Sequence, residues 1–222
     1  MAVVPHGVRG VLFDMDGVLA ENGPYHARAW QEIFLRRFGI ATGPDDERFH
    51  GGKSREIIQA VTGQLLPPDE AWAIHLEKEA LYRELARGHL KPVNGVEDYV
   101  DALRRAGVPV GLVTSADREN VDFVLGALGL EGAFDIQVLG SDVTAGKPDP
   151  APYRLGVERL ALPAEACLAH EDSRAGVQSA VAAGCRVHAV LTTTPEDVLR
   201  AAGARWATRD FAAWRELLAG TD

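Results

Sequence analysis

Two carboxylates, two residues apart, close the apolar run of "GVRGVLFDMDGVLA", Gly7 to Ala20. Val11, Leu12 and Phe13 have the character of a buried strand, yet Asp14 and Asp16 follow at once. Carboxylates in such a place are costly unless donors or a cation meet them. Side chains two apart on an extended segment point the same way, so this pair can face one reactant together. Further along stand Thr114 and Ser115 in "VTS", Lys147 in "GKPDP", and Glu171 and Asp172 in "HEDS". Hydroxyls, an ammonium and several carboxylates suit the handling of an anion beside a divalent cation. Ligands that are all oxygen favour Mg²⁺ over zinc.

Each piece alone has a plain structural reading. The first pair before Gly17 could be a turn, Thr114 a helix cap, Lys147 a solvated loop residue, and "EDS" a helix start. Their common placement decides against this. From about Lys91 onward, short apolar runs alternate with helical stretches. "VPVGLVTS", "FDIQVLG", "ACLAH" and "CRVHAVL" read as strands; Val96 to Ala106, Arg118 to Leu128, Pro150 to Leu160 and Arg174 to Ala183 read as helices. That alternation, opened by a strand over Val8 to Phe13, predicts an α/β fold: a Rossmann-like, doubly wound parallel sheet. Ligands of such sheets sit beyond the carboxyl ends of the strands. Asp14, Asp16, Thr114, Lys147, Glu171 and Asp172 all follow predicted strands, so topology gathers them at one point.

Residues from about Asn22 to Leu90 break the rhythm. "PYHARAWQEIFLRRFG" and "DEAWAIHLEKEALYRELARG" carry apolar residues at helical spacing with no strand between them. Pro24 suits a first helical turn, and Gly39 and Gly88 suit helix ends. Residues 21–90 are therefore expected to form a helical cap inserted after the first strand, with 1–20 and 91–222 forming the core. Trp30, Phe34, Trp72 and Leu81 are expected to pack the cap.

Composition narrows the partners. The net charge of −9 argues against nucleic acid and anionic membranes, which attract basic excess. No run approaches the ~18 apolar residues of a membrane span. Arg9, Asp14 and Asp16 interrupt the first apolar segment, so no secretory leader is expected. Cys167 and Cys185 sit in apolar stretches and read as reduced, buried thiols. A cytoplasmic protein is expected, with no protein partner evident.

In combination, "DMDGVL", "VTS", "GKPDP" and "HEDSRAG" resemble the four ordered motifs of the haloacid dehalogenase superfamily. The resemblance runs over essentially the whole chain. The helical insert is similar to the cap of the branch containing β-phosphoglucomutase and phosphoglycolate phosphatase, whose "YHxxAW" appears here as Tyr25 to Trp30. The resemblance implies a Mg²⁺-dependent phosphatase acting on a small phosphorylated metabolite. Asp14 would be the nucleophile that forms an aspartyl-phosphate, and Asp16 the general acid and base. Thr114 and Ser115 would bind the phosphoryl group, and Lys147 would offset its charge and that of Asp14. Asp14, the Asp16 backbone carbonyl, Glu171 and Asp172 would hold Mg²⁺. The carboxylate at Asp16 also favours phosphate esters over halides, because an alkoxide leaving group needs a proton.

His26, Lys53 and Arg55 in the insert are candidate substrate ligands, as is Arg118 after the second predicted strand. "HGGKS", His50 to Ser54, is reminiscent of a Walker A loop but lacks its first glycine and a preceding strand. Its bland reading is a helix start capped by Ser54. A signalling receiver domain would place its aspartate after a later strand and carry no insert; a silent binding module would not need every motif residue. The nearer alternative is a sugar phosphomutase. Ala116 and Asp117 weaken it, because one cannot hydrogen-bond through its side chain and the other would repel a second phosphate; Arg118 could partly compensate.

Overall fold

The structure, a computed structural model, describes residues 3–44, 46–49 and 53–219. The chain divides into two compact units, Met1–Glu21 with Lys91–Asp222, and Asn22–Leu90.

The first unit is built on six parallel strands: β1 (Gly10–Phe13), β2 (Val110–Val113), β3 (Ile136–Val138), β4 (Cys167–Glu171), β5 (Arg186–Val190) and β6 (Trp206–Thr208). Their order is β3-β2-β1-β4-β5-β6, which puts β1 in the centre. Val11 pairs with Val110 on one side and Leu168 on the other. Alternation along the strands divides the core into two chemically different halves. Leu12, Ala169 and Val187 join an aliphatic cluster with Tyr153, Val177 and Leu199. These last three come from α6 (Ala151–Leu160), α7 (Arg174–Ala182) and α8 (Glu196–Ala201). Phe13, one residue on, packs against Tyr99 of α4 (Val96–Arg105) and Phe211 of α9 (Phe211–Ala219), with ring centroids 6.0 and 5.9 Å away. The helix after β2 is α5 (Arg118–Leu128).

Both β6 and α9 lie beyond the last strand anticipated from sequence. β6 has three residues, too few to display a period, and it becomes a strand only by pairing with β5.

The second unit contains α1 (Gly23–Phe38), α2 (Ser54–Thr62) and α3 (Pro68–Ala86). Pro24 lies in the first turn of α1, and Gly39 closes it in the left-handed conformation at φ 67°. Trp30, Phe34, Phe49, Ile57, Ile58 and Ile74 form its core. Trp72 does not belong there: it is 54% exposed and stacks on His75 with centroids 4.8 Å apart. Helical spacing put it on the apolar stripe, but the packed face of α3 runs through Ala71, Ile74 and Lys78 instead. Leu81 is partly buried against the core. Residues 50–52 of the "HGGKS" segment lie outside the described residues. Lys53, not Ser54, occupies the N-cap of α2, and the Ser54 hydroxyl pairs with His75 Nδ1 at 2.7 Å.

Candidate active site

Asp14 leaves β1 still in register, because its N–H donates to the His170 carbonyl at 3.0 Å. One residue further on in β4 stands Glu171, so the β1–β4 ladder places these two carboxylates as neighbours. After Asp14 the chain folds back at once. Leu19 N–H reaches the Met15 carbonyl at 2.8 Å and Gly17 N–H the Ala20 carbonyl at 2.9 Å. Gly17 has φ +75°, and a Cβ there would stand 2.0 Å from Asp172 Oδ2. Only glycine lets this turn lie against that carboxylate.

Lys147 ties the group together. Its ammonium donates to Asp14 Oδ1 at 2.7 Å, to Glu171 Oε1 at 2.6 Å and to the Val113 carbonyl at 3.0 Å. Glu171 is entirely buried and receives four donors. Lys147 and the Tyr153 hydroxyl reach Oε1, while Asp172 N–H and the Ser173 hydroxyl reach Oε2. Ser173 also caps α7 by accepting from Gly176 N–H at 3.0 Å, so the helix-start reading of "EDS" holds beside its acidic one.

Thr114, 3% exposed, follows β2; its N–H extends the pairing to the Val138 carbonyl, and its Oγ1 accepts from Ala116 N–H at 3.1 Å. Ser115 beside it is exposed. Arg118 donates to Gln137 Oε1 at 2.7 Å and pairs with Asp122 at 3.4 Å, both through one guanidinium nitrogen.

Among the described residues, carboxylate oxygens of Asp14, Glu171 and Asp172 all lie within 4.8 Å of one another. Three buried acids share one ammonium, and the electrostatics register the excess. Burial pushes the Asp14 carboxyl up to about 7; Lys147 pulls it down, and Glu171 and Asp16 push it further up. Burial, then Glu171 and Asp14, hold Asp172 well above the carboxylate range. Burial alone would lower Lys147, but the charges of Asp14 and Glu171 outweigh it and raise it. Oxygen donors this close, with charge in surplus, fit a hard divalent cation. Asp16, half-buried, is outside this trio of side chains; the expectation for it as a ligand concerned its backbone carbonyl.

Within the helical unit, His26 Nδ1 pairs with Lys78 Nζ at 2.7 Å, and its ring stacks on Tyr82 with centroids 3.7 Å apart. Arg55 donates from Nε to the Leu66 carbonyl at 3.1 Å. Lys53 is exposed. Lys78 and Tyr153, both engaged with candidate residues, escaped the sequence reading because each sits on a helix where its spacing reads as ordinary packing.

A family model for haloacid dehalogenase-like hydrolases matches residues 8–184. The chain belongs to that family. Protein CbbY of Rhodobacter capsulatus is 32% identical over 220 residues, covering 93% of this chain and 95% of the relative. A phosphorylated carbohydrates phosphatase of Thermotoga maritima is 32% identical over 190 residues, covering 83% and 86%. The crystal structure of CbbY from Rhodobacter sphaeroides in complex with xylulose-(1,5)bisphosphate superposes with a TM-score of 0.80 at 28% identity, covering 92% and 95%. This haloacid dehalogenase-like hydrolase is a phosphoric monoester hydrolase.

Proposed function

We propose that this hydrolase is a Mg²⁺-dependent phosphatase of small phosphorylated metabolites of the sugar-phosphate type, working through an aspartyl-phosphate. The observation that carries the reading is the Lys147 bridge between Asp14 and Glu171, at 2.7 and 2.6 Å, beside Asp172. Asp14 attacks phosphorus, and the bond to the ester oxygen breaks as Asp16 delivers a proton to it. Asp16 then takes a proton from the water that cleaves the aspartyl-phosphate and releases inorganic phosphate. Thr114 and Ser115 bind phosphoryl oxygens, and Lys147 opposes the burial that raises Asp14 and aims its carboxylate. Asp14, the Asp16 carbonyl, Glu171 and Asp172 hold Mg²⁺, which supplies charge neutralisation for the transferring group. Phosphoryl transfer asks mainly for such positioning and charge.

The relatives named for phosphorylated carbohydrates and the bisphosphate of the CbbY complex support a sugar-phosphate substrate here. Residues 21–90 form the family's helical cap, and His26, Lys53 and Arg55 are its substrate-reading residues. Hydrolysis is favoured over phosphomutase chemistry because Ala116 cannot hydrogen-bond through its side chain and Asp117 would repel a second phosphate. The test is phosphate release from a panel of sugar phosphates, polyol phosphates, phosphoglycolate and nucleotides, with Mg²⁺ and with EDTA. Steady Mg²⁺-dependent release from sugar or polyol monoesters is expected. Release from none of them, or release that survives exhaustive chelation, would remove the proposal.

A further inference from the structure

Two hydroxyls outside the four motifs bind the loops that carry the acidic residues. They belong to Thr192 and Thr193, directly after β5. Leu191 N–H still pairs with the Thr208 carbonyl at 2.9 Å, so the sheet fixes the start of this segment. Thr192 N–H then turns back to the Val190 carbonyl at 3.0 Å, a three-residue turn that bends the chain at the carboxyl end of β5. From there the Thr192 hydroxyl donates to the Gly17 carbonyl at 2.5 Å, in the turn following Asp14 and Asp16. The Thr193 hydroxyl lies 2.5 Å from Asp172 Oδ2 and 3.0 Å from the Asp172 carbonyl. With one proton to give, it favours the nearer acceptor, the side-chain Oδ2.

Asp172 Oδ2 is thereby enclosed, with the Gly17 backbone on one side and Thr193 on the other. Among the described residues no donor reaches Oδ1. We propose that Thr193, braced by Thr192, is a positioning residue for the cation site: it occupies Oδ2 and so presents Oδ1 of Asp172 to the metal. This rests on the Mg²⁺ reading above. Groups that orient metal ligands commonly change affinity by roughly 10- to 100-fold when removed.

The experiment is calorimetric titration of Mg²⁺ into the whole protein, with thermal midpoints in EDTA measured beside it. Thr193→Val keeps the shape and removes the donor; its Mg²⁺ affinity should fall about tenfold or more. Thr193→Ser should restore it, which a purely space-filling role would not require. Thr193→Ala carries the same expectation as valine, should the branched variant fold poorly. A merely structural threonine would lower the midpoint in EDTA and leave Mg²⁺ affinity unchanged, and that result overturns the inference alone. A wild-type protein with no measurable Mg²⁺ binding would overturn the inference and the cation reading together.

Discussion

The proposed nucleophile and the proposed proton carrier of this site differ in what their loss should do. In the proposed mechanism Asp14 carries the charge that attacks phosphorus and faces the cation, so Asp14→Asn preserves shape and removes both. Turnover should fall at least ~10³-fold. Steady-state phosphate release by a purified variant checks this, and near-normal turnover would dismiss Asp14 as nucleophile. On the same proposal Asp16→Ala removes proton transfer alone. With an activated ester whose leaving group needs no proton, it should still form the phosphoenzyme, and dephosphorylation should become the slow step. Quenched-flow trapping of labelled protein distinguishes this from Asp14→Asn, which should trap nothing.

At the scale of an element, α7 shows how a helix is constrained by the site it carries. Gly176 lies inside α7, where alanine would ordinarily favour the helix by roughly 1 kcal/mol. A Cβ at this position would stand 1.9 to 2.0 Å from the Glu171 carboxyl atoms. That contact cannot be tolerated without moving Glu171 away from Lys147 and Tyr153. Gly176→Ala should therefore lower kcat severely and lower the thermal midpoint too, against its propensity. A variant with a raised midpoint and intact activity would show that the glycine is incidental. The loop after β4 and the segment after β5 obey the same logic: both are short and anchored at the carboxyl ends of paired strands, which limits how far their carboxylate and hydroxyl can wander.

Across the whole molecule, the aromatic half of the core hides two imidazoles next to this charged edge. The Thr208 hydroxyl donates to the Asp210 carbonyl at 2.8 Å and so accepts from His188 Nε2. Burial keeps both rings neutral, so His188 Nδ1 is bare and accepts from His170 Nδ1 at 2.8 Å. Burial, helped by the Arg200 charge, lowers His188 to about 3, and burial with His188 lowers His170 well below its usual value. The unfolded chain therefore binds protons below about 6.5 that the folded chain refuses until near 3, and stability drops as pH falls through this window. Asp14 acts oppositely: its raised value makes the folded chain the proton binder between about 4 and 7, so that contribution is lost as pH rises, and the raised Asp172 adds to it in the same direction. A bound cation replaces those protons. The acid-side loss of stability should thus be steeper in Mg²⁺ than in EDTA, as denaturant midpoints measured between about pH 7 and 4 would show. Equal slopes would contradict the charge balance drawn here.

Sequence by itself determined the parts that are local. Apolar runs ending in acids, hydroxyls or a lysine marked the strand ends, and Pro24 and Gly39 marked the limits of α1, because backbone preference and side-chain period need only near neighbours. Five apolar runs alternating with helical stretches were enough to read the parallel α/β fold and to assemble Asp14, Lys147, Glu171 and Asp172. Tertiary structure alone decided which ordinary residues serve them. Tyr153 looks like any aromatic on a helix until its hydroxyl meets Glu171, and Trp72 sits on the apolar stripe of α3 yet faces outward. Thr192 finds its acceptor in Gly17, 175 residues earlier. A single hydroxyl or imidazole carries no period, so its role is set by the partner the chain brings to it, and that partner is chosen only when strands distant in sequence pair.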